Sequence, residues 1–243
     1  MNFNCSWNEI TYQEFLKYLD TIKDLKFQEF QKKIVLSEEV IGIKTNELKK
    51  IAKDISKYDY DSFMKVNNSS LYETIMIEGF IIGNLKFSIK ELAPYIDRYL
   101  EKVNTWAHVD SFAASLKQFK KQEKEGFAYA KKLIHSKNTF YKRCGVILLL
   151  DYYLHDVYID KVLEIVSKIK TDDYYVQMGI SWLMSVAYIK YKEKTLVYLV
   201  NLKDDFIYNK TLTKIVESRR ISDEEKKFIK SLKREKEKMV KNK

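Results

Sequence analysis

The sequence predicts an all-α fold laid out as an α-solenoid, and three observations carry that reading. One proline, Pro94, and six glycines punctuate 243 residues, too few for the many turns that sandwiches and barrels require. A hydroxyl followed three residues later by a carboxylate, the mark of a helix-starting capping box, occurs at Thr11/Glu14, Ser70/Glu73, Ser88/Glu91 and Ser222/Glu225. Helix starts also recur near Ser70, Trp106, Asn138, Asp172 and Asp205, at gaps of roughly 36, 32, 34 and 33 residues. Helical pairs repeated at such a period stack into a right-handed solenoid, in which alternate helices line a concave surface.

Taken in chain order, helices over about 11–33 and 45–57 cap one end. The recurring series then alternates with partner helices that begin near Ser88, Lys121, Asp156, Lys192 and Ser222. The Lys/Glu-rich run over 222–243 closes the other end as a terminal helix and basic tail. Nothing between these elements reads as a linker, so one domain over 1–243 is expected.

Composition narrows the partners. The formal net charge of +10 fits a polyanion, nucleic acid first and an anionic membrane surface second. Cys5 and Cys144 are the two cysteines, too far apart for a metal-type spacing or a disulfide framework. The N-terminus has neither the basic nor the apolar region of a secretory signal, and no apolar run approaches membrane-spanning length. A reducing, cytoplasmic compartment is expected.

The chemistry centres on Asn104-Thr105-Trp106-Ala107-His108-Val109-Asp110-Ser111-Phe112. On a helix Trp106 and Asp110 lie one above the other, which sets an aromatic face beside a carboxylate, a pair able to hold a cation. Arg143 and Trp182 fall in the next two helices of the same series, so four side chains are expected to meet in one trough. His108 lies two positions from each member of the central pair and is read as structural. Cys144 is read as a small buried hydrophobe.

These residues, taken together, resemble the DNA alkylation repair enzymes, the alkylpurine DNA glycosylases built from HEAT-like repeats. The resemblance runs from about Phe27 to Lys233. Val40-Ile41-Gly42-Ile43-Lys44-Thr45-Asn46-Glu47-Leu48 looks like the family's N-terminal Gly-Val-Arg-x-Pro-x-Leu-Arg segment. Tyr72-Glu73 through Gly79-Phe80-Ile81-Ile82-Gly83 follows, then Trp106-x-x-x-Asp110, Lys142-Arg143, Ile180-Ser181-Trp182, Tyr208-Asn209-Lys210 and Glu217-Ser218-Arg219-Arg220-Ile221-Ser222. No single motif is specific; their order is. By this resemblance Asp110 takes the place of the catalytic carboxylate, Trp106 and Trp182 those of the flanking aromatics, and Arg143 that of the DNA-contacting arginine. Candidate phosphate contacts are Lys44, Lys142, Arg143, Lys210, Lys214, Arg219 and Arg220 on a basic concave face. Two departures stand out. Gln177-Met178-Gly179 and Leu183-Met184-Ser185 flank Trp182 where many members carry basic residues, and Phe30 falls where some have tyrosine.

The resemblance implies a monomeric, monofunctional glycosylase, free of metal and cofactor, acting on duplex DNA that contains alkylated purines. A purine alkylated at N3 or N7 is cationic, and its loss leaves an oxocarbenium-like sugar. A carboxylate about 4 Å from a unit charge, at an effective dielectric near 20, is worth ~4 kcal/mol, roughly a thousandfold in rate if felt only in the transition state. Each indole adds ~0.5–2 kcal/mol by cation–π attraction. Two rival readings are a relative that binds damaged or branched DNA without cleaving it and a protein-interaction scaffold.

Overall fold

The computed structural model describes residues 1–35 and 39–234, and its described elements are all helices. They group into two compact units, Met1–Leu148 and Leu149–Lys243. The first holds α1 (Glu9–Thr21), α2 (Leu25–Val35), α3 (Thr45–Ile55), α4 (Tyr60–Val66), α5 (Tyr72–Asn84), α6 (Ile89–Lys102), α7 (Trp106–Ser115), α8 (Gln118–Lys121) and α9 (Glu123–Ile134). Helix α10 (Thr139–Tyr152) spans the division. The second holds α11 (Ile159–Ser167), α12 (Tyr174–Lys190), α13 (Lys192–Val200), α14 (Asp205–Glu217) and α15 (Asp223–Ser231).

Each unit shows the alternating stacking that the repeat period predicts. In the first, α3 packs on α5 and α5 on α7, while α6 packs on α9 in the partner row. In the second, α12 packs on α14 and α11 on α13, with α13 beside α12 and α15 beside α14. This is the helical-solenoid arrangement, built from contacts between successive and next-but-one helices.

Helix α5 is the centre of the first unit. Every residue from Tyr72 to Ile82 is buried, so its two carboxylates must find partners inside the protein. Glu78 takes the ammonium of Lys102 at 2.8 Å and the side-chain amide of Asn67 at 2.6 Å, and Asn67 in turn accepts from the Tyr12 hydroxyl at 2.7 Å. One buried carboxylate thereby ties α1, the end of α4, α5 and α6 together. Around Tyr12, the rings of Trp7, Phe15 and Phe63 pack edge to face, a geometry that adds to simple area burial.

Glu73 does something the sequence does not announce. Read as the carboxylate of a Ser70 capping box, it instead accepts the backbone amides of Ile41 and Gly42 at 3.0 and 2.7 Å, and that of Ile43 at 3.4 Å. Those amides belong to the segment leading into α3. Gly42 makes the turn possible: its φ of +96° is left-handed, and a Cβ there would sit 2.6 Å from the Asp24 carbonyl oxygen.

Several other starts shift. The Thr11/Glu14 box does not form: α1 begins earlier, with Asn8 as its N-cap and Thr11 as the third helical residue, whose hydroxyl accepts the Asn8 amide while Asn8 Oδ1 accepts the Thr11 amide. The helix expected over 11–33 is two, α1 and α2, because the Asp24 carboxylate accepts the Phe27 amide at 3.1 Å and restarts the chain. Helix α4 was not anticipated. The box at Ser88/Glu91 forms in full, and Ser222 caps α15 through the Glu225 amide. The tail over 235–243 lies outside the described residues.

Candidate active site

Helix α7 has two unlike faces. His108, Val109, Phe112 and Ala113 are buried, whereas Trp106, Asp110 and Ser111 are half-buried and Ala114 is exposed. His108 explains how the buried face is fixed. Its ring stacks on Tyr72 of α5 at a centroid distance of 4.5 Å, and Nε2 lies 3.1 Å from the Tyr72 carbonyl oxygen. A carbonyl only accepts, so the neutral ring carries its proton on Nε2. Burial pushes the His108 pKa down to about 4 and that of the Tyr72 phenol up to about 12, so both stay uncharged at neutral pH. With His108 turned inward, Trp106 and Asp110 share the opposite face, as their spacing predicts.

Arg143 reaches Asp110 from α10. Its Nε donates to Oδ1 at 2.9 Å and its Nη2 to Oδ2 at 2.8 Å. The arginine side chain is 6% exposed and that of the aspartate 14%. This two-pronged fork is the strongest carboxylate–guanidinium geometry available. The pair lies 33 residues apart, one repeat in the chain, so successive helices of one row hold its two halves.

Asp110 opens onto a cleft of about 580 Å³ that crosses three neighbouring helices. Lys49 and Lys53 come from α3, Phe80, Gly83 and Asn84 from α5, and Ser111, Ala114 and Ser115 from α7, with Lys117 just beyond. The three lysines are exposed, and Lys49 Nζ stands 5.4 Å from the centre of the Phe80 ring. Gly83 lets α5 and α7 close together beneath the cleft, because a Cβ there would fall 2.2 Å from Ser115 Oγ. The result is a carboxylate, held rigid by a buried arginine, at the edge of a cationic groove. Such a groove suits a polyanion by its charge.

The structure brings Asp110 and Arg143 into contact and sets Trp106 one turn before Asp110. Arg143 is buried and occupied by Asp110, so its contact is with the carboxylate rather than with solvent. Trp182 belongs to the second unit, midway along α12, and is 38% exposed. Lys44 is the N-cap residue of α3 and lies 3.6 Å from an Asp24 oxygen. Lys142 is half-buried beside Arg143. Lys210 and Lys214 are half-buried on α14, and Arg219 and Arg220 are exposed after it. The sequence reading missed Lys49, Lys53 and Lys117 as cleft residues. The signal for the first two was present: their spacing of four puts both on the polar face of α3. No group of three or more His, Cys, Asp or Glu able to hold a metal occurs among the described residues. No helix there is long and apolar enough to cross a membrane.

Fold and cleft define a helical-repeat protein that sets one oriented carboxylate in a lysine-walled groove. A family model described as DNA alkylation repair enzyme matches residues 12–216. The chain belongs to that family, which assigns it to the repair of alkylated DNA. Searches of curated proteins and of solved structures returned no match.

Proposed function

We propose that the protein is a DNA glycosylase that removes cationic N3- or N7-alkylated purines from duplex DNA by hydrolysing the N-glycosidic bond. The observation that carries this reading is Asp110 itself, oriented by Arg143 and facing a cleft rimmed by Lys49, Lys53 and Lys117. In the reaction the C1′–N bond breaks with its electron pair going to the base, which leaves neutral because it began as a cation. Positive charge builds on the sugar, and the Asp110 carboxylate offsets that charge. Asp110 also orients a water, whose oxygen bonds to C1′ while its proton passes to the carboxylate and on to solvent. Trp106, one turn away, lays its indole against the cationic base or sugar. The lysines hold the flanking phosphates and make binding fall steeply with salt. The place of Trp182 in this scheme is supported by motif order, and its own substitution tests it.

The reading requires a lesion that is already charged. Duplexes carrying 3-methyladenine or 7-methylguanine should release free base, and a duplex carrying neutral hypoxanthine should release little, because a neutral base needs a proton to leave. Equal release from both would contradict it.

One observation favours a second reading. The Asp110 carboxylate is already met by a guanidinium, which offsets part of the negative charge a developing cation would feel. A relative that binds alkylated or branched DNA without cleaving it would bind methylated duplex in a salt-sensitive way and release no base.

A further inference from the structure

The cleft that holds Asp110 takes its walls from α3, α5 and α7, and the first turn of α5 is bonded to both of the others. Toward α3, the Glu73 carboxylate accepts the amides of Ile41 and Gly42 at 3.0 and 2.7 Å, and the Tyr72 amide donates to the Glu39 carbonyl oxygen at 2.8 Å. The segment so held leads directly into α3, whose following turns carry Lys49 and Lys53. Toward α7, the Tyr72 carbonyl oxygen accepts from His108 Nε2 at 3.1 Å, and the two rings stack with their planes 28° apart. His108 is the third residue of α7, two positions before Asp110. Tyr72, Glu73 and His108 are all buried, where hydrogen bonds are not exchanged for water. The three helices also share apolar contacts, which are non-directional and set how closely α3 and α7 lie to α5. The hydrogen bonds are directional and set how far each helix is advanced along it.

We propose that Glu73 and His108 are positioning residues for the proposed reaction, anchored together on the first turn of α5 and acting on different steps. Glu73 sets the advance of α3, and with it the wall of the cleft that receives the strand. His108 sets the advance of α7, and with it the place of Asp110 at the reacting sugar. Neither side chain touches the substrate. The inference rests on the glycosylase reading and adds to it two residues buried away from the cleft, each with its own kinetic signature.

The test follows base release from a duplex carrying 7-methylguanine, at varied duplex concentration, by the intact protein and three variants. Glu73→Gln keeps the shape of the side chain but turns an acceptor oxygen into an NH2 group. It should raise KM severalfold and leave kcat in place, the signature of lost uniform binding. His108→Phe keeps the ring and removes the donor. It should leave KM in place and lower kcat by up to about a hundredfold, the cost of displacing a reacting group by about 1 Å. His108→Gln returns an N–H at the reach of Nε2 and should recover most of kcat. A second readout needs no chemistry: the NMR signal of the Arg143 Nε–H, which is held on Asp110. His108→Phe should shift that signal and quicken its exchange, whereas His108→Gln and Glu73→Gln should leave it. Melting temperatures show that the variants are folded; should His108→Phe not be, His108→Leu removes the same donor from a smaller side chain. An Arg143 signal unmoved by loss of the donor overturns the assignment. So does one common kinetic change in Glu73→Gln and His108→Phe, which is what a general loosening of the fold gives. A wild-type protein that releases no base contradicts the glycosylase reading alone. Positioning is then decided by the Arg143 signal and by duplex affinity, which Glu73→Gln lowers and His108→Phe leaves.

Discussion

Arg143 and Asp110 are locked together across one repeat by two parallel hydrogen bonds, with the guanidinium buried and the carboxylate at the lip of a cleft. The arrangement fixes the direction in which Asp110 points, and it makes each residue depend on the other.

Removing one partner takes two charge-assisted hydrogen bonds from the other. Arg143→Ala should destabilise the protein by about 3 kcal/mol, the low end for a broken buried pair, because Asp110 keeps some contact with water. In a double-mutant cycle with Asp110→Ala the coupling should reach ~1–3 kcal/mol. Chemical denaturation of the four proteins measures it, and additive effects would mean that the fork contributes nothing.

The buried His108 makes stability depend on pH. Its folded pKa of about 4 lies below the ordinary 6.5, so the unfolded chain binds a proton across that interval while the folded protein does not. Stability is therefore full above pH ~6.5, falls as pH drops toward ~4, and loses about 3 kcal/mol in all from this one group. Urea unfolding at a series of pH values reads the slope, and His108→Gln should flatten it.

Glu73 holds the entry to α3 from the centre of α5. Glu73→Ala leaves the amides of Ile41, Gly42 and Ile43 without their acceptor, and each such loss costs ~1–3 kcal/mol. Hydrogen exchange should show those three amides passing from protected to fast while the amides of α12 stay protected. Protection that persists at 41–43 would show that the carboxylate is not what holds the loop.

How much of this was legible varies with the range of the interaction. The Ser88/Glu91 box was readable because both partners lie within one turn and nothing competes for them. The Ser70/Glu73 box has the same pattern and failed, because the Glu73 carboxylate finds three amides some thirty residues upstream. A local motif cannot reveal a better partner far away in the chain. Trp106 and Asp110 share a face as their spacing requires, and the repeat period placed Arg143 in the next helix of the row. The two-pronged contact itself, and the cleft formed by Lys49 and Lys53 with α5 and α7, depend on how three helices pack. No spacing encodes that.

Gly83 tests the packing beneath the cleft. A methyl group there meets Ser115 Oγ at 2.2 Å, so Gly83→Ala should cost ~1–3 kcal/mol through overpacking and should weaken binding of methylated duplex as α5 and α7 are pushed apart. Unaltered stability and binding would show that the two helices yield freely at this point.

The central claim is that Asp110 acts on the sugar as the base departs. The most direct measurement is release of free 3-methyladenine and 7-methylguanine from methylated duplex by the wild-type protein and by Asp110→Asn, at saturating enzyme. The account predicts release by the wild type and a fall of roughly a thousandfold in the variant, the rate equivalent of ~4 kcal/mol. Equal rates in the two proteins would contradict it.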